Sequence, residues 1–200
     1  VRNADGVAQA ASTKAESLRH PIRISDMSEW DGIVREWLID VGHAFAGGLG
    51  TNGDAFSYWA AHGTSSVDEG WSYLLPGEDS GVYQQTIVDP NGDGEATTVV
   101  EINEAQIMKD ALTTGKAPMG LWIGKQKYSL VRFDLEQEVG DGVGKWLFGS
   151  APKQGVNIVQ TPNGTVVVSK YSEDAGHTSG NNKTATMAFA EYLAGPDVGY

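Results

Sequence analysis

The stretch Ala117–Phe133, A-P-M-G-L-W-I-G-K-Q-K-Y-S-L-V-R-F, constrains the fold more than any other part of the chain. Two apolar runs, Leu121-Trp122-Ile123 and Tyr128-Ser129-Leu130-Val131, flank the connector Gly124-Lys125-Gln126-Lys127. Branched and aromatic residues on both sides of a Gly-led polar link predict a β-hairpin. Pro118 and Gly120 keep any upstream helix from running into it. So apolar a hairpin has to be covered by other elements.

The elements around it follow the same logic. Ser28-Glu29-Trp30-Asp31 reads as a capping box, with Asp in place of the usual Glu. Trp30, Ile33, Val34, Trp37, Leu38 and Val41 then recur at helical spacing, predicting an amphipathic helix from Ser28 to about Gly42. Ala44–Leu49 and Ala55–Ala61 read as short strands joined through Thr51-Asn52-Gly53-Asp54, an Asn-Gly turn. A short helix is expected over Ser66–Leu75, and another from Asn103 through Leu112, ending at Gly115. Between them, residues 77–101 form an acidic insertion. Tyr83–Val88 and Thr97–Ile102 there surround Asp89-Pro90-Asn91-Gly92-Asp93-Gly94, which predicts a protruding hairpin arm adding little to the core. Gly142–Phe148, Val156–Gln160 and Thr165–Tyr171 read as strands. A last helix is expected from near Asn181 or Asn182, with Ala185, Ala188, Phe189, Tyr192 and Leu193 on its apolar face and Gly195-Pro196 as its stop. Hairpins throughout, with helices at both ends, favour an α+β fold with an antiparallel sheet over a parallel doubly wound one.

Two hundred residues with 40% hydrophobic content suit one domain with a real core. Residues 1–26 lack apolar periodicity and read as an N-terminal extension, either native or an added leader, before a domain spanning 27–200. With no Cys, disulfides and thiol nucleophiles are excluded and an intracellular, cytoplasmic location is expected. No apolar run reaches membrane-spanning length. The net charge of −12 argues against nucleic acid as a partner. Basic residues are nevertheless absent between Arg35 and Lys109, where a dozen acids fall, so the cations of the body gather in its second half.

Motifs for enzymatic chemistry fail on inspection. Asp89-x-Asn91-x-Asp93-Gly94 copies half of an EF-hand loop, but its twelfth position is Val100 rather than Glu. Gly140–Lys145 lacks the P-loop residues, having Val139 and Trp146 where Gly and Ser or Thr are needed. His20, His43, His62 and His177 show no metal-ligand spacing. No enzyme activity, cofactor or metal is expected. Trp30 and Trp37, seven residues apart on the first helix, with Trp59, Tyr192 and Tyr200, could line a groove for a polyproline II peptide, although core filling explains each ring equally well.

In spelling, the hairpin A-P-M-G-L-W-I-G-K-Q-K-Y resembles the central hairpin of profilins. So do S-E-W-D-G-I-V-R-E-W-L, A-G-G-L, I-N-E-A, T-P-N-G-T-V-V-V and G-N-N-K-T-A-T-M-A-F-A-E-Y-L, in matching order. The acidic insertion makes the chain most similar to the apicomplexan branch. That resemblance implies an antiparallel sheet between helical layers, with the terminal helices side by side on one face. It implies a proline-rich-peptide groove at Trp30, Ile33, Trp59, Tyr192 and Tyr200, with Ile33 where many members carry Tyr. It implies an actin-binding face at His177, Gly180, Asn181, Asn182 and Lys183, with Lys145 and Lys153 more loosely matched. Lys183, a cation at the positive end of a helix, looks placed for a partner rather than for stability.

The function implied is cytoskeletal. It comprises binding of monomeric actin, regulation of its polymerisation and docking of proline-rich segments of formin-like nucleators, in support of parasite motility and host-cell invasion. Phosphoinositide binding, weakened by the negative charge, and recognition by host innate-immune receptors are also implied. Two other classes stay open: a proline-rich-peptide adaptor without actin binding, and a ligand-sensing domain with an internal pocket on a similar scaffold.

Overall fold

The computed structural model describes residues 27–77, 82–88 and 97–195. Residues 1–26, the EF-hand-like turn Asp89–Gly94 and Tyr200 lie outside that description. The first apolar stripe forms α1 (Met27–Val34) and then widens into a π-helical turn, Arg35–Ile39, closed by the Asp40 N–H on the Arg35 carbonyl at 2.9 Å. A π turn holds one extra residue and so rotates the side chains that follow. Leu38 and Ile39 are buried as a result, while Val41, expected on the same stripe, is 47% exposed. The capping box expected at Ser28 depends on a side chain outside the described ones.

Strands β1 (Ala46–Asn52) and β2 (Phe56–Gly63) form the first hairpin. Helix α2 (Val67–Leu74) is capped by Ser66, whose hydroxyl accepts the Glu69 N–H. The arm is β3 (Val82–Val88) paired with β4 (Thr97–Asn103). Helix α3 (Glu104–Thr114) starts on the Asn103 cap and ends at Gly115, whose φ of 67° is the left-handed stop that Gly supplies without strain. The organising hairpin is β5 (Leu121–Ile123) and β6 (Gln126–Val139), turning on Gly124 and Lys125 at φ 60° and 63°. Then come β7 (Gly142–Ala151), β8 (Gln154–Gln160), β9 (Thr165–Ser172), a 3-10 turn at Glu173–Ala175, and α4 (Ser179–Ala194).

Seven strands form one antiparallel sheet in the order β2-β1-β9-β8-β7-β6-β5. Its two faces are sorted by the period of two. Val167 and Val159 face a core made with α1, the π turn and α4, whereas Val166, Val168, Val156 and Ile158 face a second core made with α2 and α3. Gly47 and Gly48 let both layers approach: a Cβ on Gly47 would collide with Leu38, and one on Gly48 with Leu74. The A-G-G-L string is therefore a packing requirement of a strand covered on both sides.

A bulge in β2 breaks the alternation next to α1. Leu49 pairs with Ala60 and Gly50 with Tyr58, leaving Trp59 as the extra residue of a β-bulge. The bulge lets Trp59 and Ala60 share the α1/α4 side of the sheet, where both belong to the same core. Asp31 on α1 braces this point, its carboxylate accepting the Ala61 N–H at 2.8 Å.

The arm does more than protrude. At its root, the Tyr83 hydroxyl donates to Glu104 Oε1 at 2.7 Å, and its ring meets Trp122 edge-on at 6.3 Å. The same Glu104 carboxylate accepts the Gly124 and Lys125 N–H groups, each at 2.8 Å. One buried side chain thus joins the arm, the start of α3 and the turn of the central hairpin.

Candidate protein-binding surfaces

The aromatic face is built where α1, the π turn and α4 cover the sheet. Trp30 and Trp59 meet edge-to-face with centroids 5.5 Å apart, and the Trp59 indole N–H donates to Thr51 Oγ1 at 3.1 Å. Trp37 stacks on Phe189 at 5.5 Å and on Tyr192 at 5.1 Å, joining the first helical segment to the last. The fold therefore brings Trp30 to Trp59 and Tyr192 to Trp37, while Tyr200 lies outside the described residues. Ile33, expected in the groove, is only 6% exposed and belongs to the core beneath it, and Trp30 is equally enclosed. Trp37, Trp59 and Tyr192 are the half-buried rings open to a ligand. Trp37 is among the rings the sequence offers for a groove, though not in the set that the family resemblance implies. Its spacing of seven from Trp30, two helical turns on the same stripe, was the signal for it.

The second surface surrounds the start of α4. The helix begins at Ser179, a few residues earlier than the sequence suggests, because Thr178 caps it through the Asn181 N–H at 3.2 Å. Gly180 and Asn181 are exposed in its first turn. His177 stands beside them, half-buried, its Nδ1 accepting the Ser172 N–H. Desolvation, followed by the nearby His43, lowers its pKa below the ordinary histidine value, so it is neutral at pH 7. Lys153, on the β7–β8 turn with φ 58°, pairs with Asp174 at 2.9 Å on the same rim.

Two expected members do not join this surface. Asn182 is fully buried, not presented to a partner. Its Nδ2 donates to the His43 carbonyl at 2.8 Å and to Ser169 Oγ at 2.7 Å, and its Oδ1 accepts from Asn157 Nδ2 at 2.8 Å. Lys145 neighbours Trp146 on β7 and so points to the opposite side of the sheet from it, away from α4. Lys183 does lie on the rim, but its position is explained differently. With the helix starting at Ser179, Lys183 sits beyond the first turn, where the dipole penalty fades. Its Nζ lies 3.5 Å above the centroid of the Trp146 ring, a cation–π contact.

Residues 28–198 match the family model described as Profilin. The chain belongs to the profilin family. Over 169 residues it is 30% identical to a profilin of Plasmodium falciparum, covering 82% of this chain and 94% of that one. A Plasmodium berghei profilin is 27% identical over 170 residues. Among solved structures, a Schizosaccharomyces pombe profilin superposes with a TM-score of 0.52 at 21% identity, covering 86% of this chain and 99% of its own. Acanthamoeba castellanii profilin IB gives 0.52 at 17% identity, covering 82% and 96%. Those structures bear out the α+β profilin fold, and the Plasmodium relatives place the chain with the apicomplexan branch. Profilins are actin-binding regulators. Among the described residues no cluster of His, Asp and Glu could hold a metal, and no helix is long and apolar enough to cross a membrane.

Proposed function

We propose that this profilin binds monomeric actin through the rim at the start of α4, and docks proline-rich segments of formin-like nucleators on its aromatic face, in the cytoplasm of a motile parasite. The observation that carries the actin reading is Lys183, a half-exposed cation held across the Trp146 ring in the second turn of α4 on an otherwise acidic protein. An acidic partner is repelled by a net charge of −12 unless a local cation meets it. His177, Gly180 and Asn181 supply a neutral, close-packing border around that charge. Lys183→Glu should leave the fold intact, losing about 0.5–1 kcal/mol with its ring contact. It should weaken actin binding by about 2 kcal/mol or more, since a repulsive pair replaces an attractive one. Calorimetric titration of monomeric actin at low and high salt reads both changes, with the wild type the more salt-sensitive. Equal affinity of the two proteins at low salt would remove Lys183 from the interface.

The peptide reading is supported by the half-buried Trp37, Trp59 and Tyr192, flat rings suited to a three-residue polyproline turn. A polyproline peptide should perturb tryptophan fluorescence saturably, and Trp59→Ala should weaken its binding by about 2 kcal/mol. A dissociation constant untouched by that substitution would exclude Trp59 from the groove.

A further inference from the structure

We infer that Trp146 is a positioning residue for partner binding: it lays the Lys183 ammonium across its ring and presents it, already ordered, to a carboxylate on an acidic partner. The inference rests on the actin reading for its partner and on the geometry for everything else.

The observation is a closed circuit of contacts. The Trp146 indole N–H donates to Asn157 Oδ1 at 2.9 Å, and Asn157 Nδ2 donates to Asn182 Oδ1 at 2.8 Å. Asn182 is anchored in turn to the His43 carbonyl and Ser169. The next residue in the chain is Lys183, whose Nζ returns to the face of Trp146 at 3.5 Å. One end of the cation–π pair is thus fixed by β7 and β8, and the other by the first turns of α4, through a single chain of buried amides. A lysine side chain ordinarily loses close to 2 kcal/mol of rotamer entropy on being immobilised at an interface. Here much of that ordering precedes the encounter, because the ring holds the ammonium while its N–H groups remain available to an acceptor. The arrangement also explains why Trp146 is only half-buried: its edge is engaged by Asn157, and its face is left for Lys183.

The ring itself supplies the readout. Protons on the Lys183 ε-carbon, lying over an indole, should be shifted upfield in the NMR spectrum of the wild type and return to ordinary lysine values in Trp146→Leu. The leucine variant should bind monomeric actin roughly threefold to thirtyfold more weakly, the span of a cation–π contact. In a Lys183→Ala background the same change should have less than about a twofold further effect, since the two residues act as one unit. Additive losses, or an unshifted Lys183 in the wild type, would overturn the inference. Trp146→Phe guards against poor folding of the leucine variant. Its smaller ring is a weaker cation acceptor, so a reduced shift with reduced affinity supports the assignment, and an unchanged shift with reduced affinity counts against it. A ring-shifted Lys183 whose replacement by Ala leaves actin affinity intact overturns the partner reading and this use of the posture together, while the contact itself stands.

Discussion

Glu104→Ala is expected to destabilise the protein by about 3 kcal/mol, although Glu104 belongs to neither binding surface. Glu104 is 7% exposed, and its carboxylate accepts three hydrogen bonds, from Tyr83 and from the Gly124 and Lys125 backbone. Truncation leaves two part-buried backbone donors of the hairpin turn without a partner and removes the Tyr83 contact. An unsatisfied donor costs about 1–3 kcal/mol when fully buried, and less where water reaches it. It also removes a negative charge felt by Lys170, a cation 2% exposed inside β9 whose pKa burial has already lowered to about 8. Glu104→Gln, which keeps an acceptor oxygen, should lose roughly half as much. Urea denaturation measures both, and the Ala variant should melt about 10 °C lower, at the 2–4 °C per kcal/mol usual for this size. A loss below about 1 kcal/mol would show that the turn and the arm root hold together without this carboxylate.

Asn182→Ala should cost about 3 kcal/mol, for a related reason. Three hydrogen bonds disappear at once, leaving Asn157, Ser169 and the His43 carbonyl to find other partners in an enclosed space. A residue serving only as a surface contact would leave stability within about 0.5 kcal/mol of wild type. The two possibilities are therefore separated by a single denaturation curve. Retention of full stability would contradict the buried amide network. The substitution should also release Trp146, which Asn182 reaches through Asn157.

Local chemistry made much of this molecule readable from its amino acids. The central hairpin, the caps at Ser66 and Asn103, the stop at Gly115 and the β-branched strand before Ser172 each satisfy a local rule, and each forms where those rules place it. Other elements were decided by neighbours distant in sequence. Residues 132–139, with charges alternating against Phe133, Leu135 and Val139, carried too little apolar signal to be read as strand. They become the second half of β6 because β7 pairs with them. The π turn, the bulge at Trp59 and the docking of Tyr83 arise from the shape of the cores they meet. No periodicity in the chain announces them.

For the binding surfaces the division is sharper. Residue type and family spelling brought Trp30, Trp59, His177 and Lys183 into consideration, because aromatic rings and isolated cations stand out in any sequence. Which of them face outward depends on burial, a property of the assembled layers. Asn182 and Lys183 are adjacent in sequence and share one helix. Yet Asn182 is the fully buried hinge of an amide network, and Lys183 lies on the surface across an indole ring. Consecutive helical residues point about 100° apart, and only the docking of α4 on the sheet determines which of the two is covered.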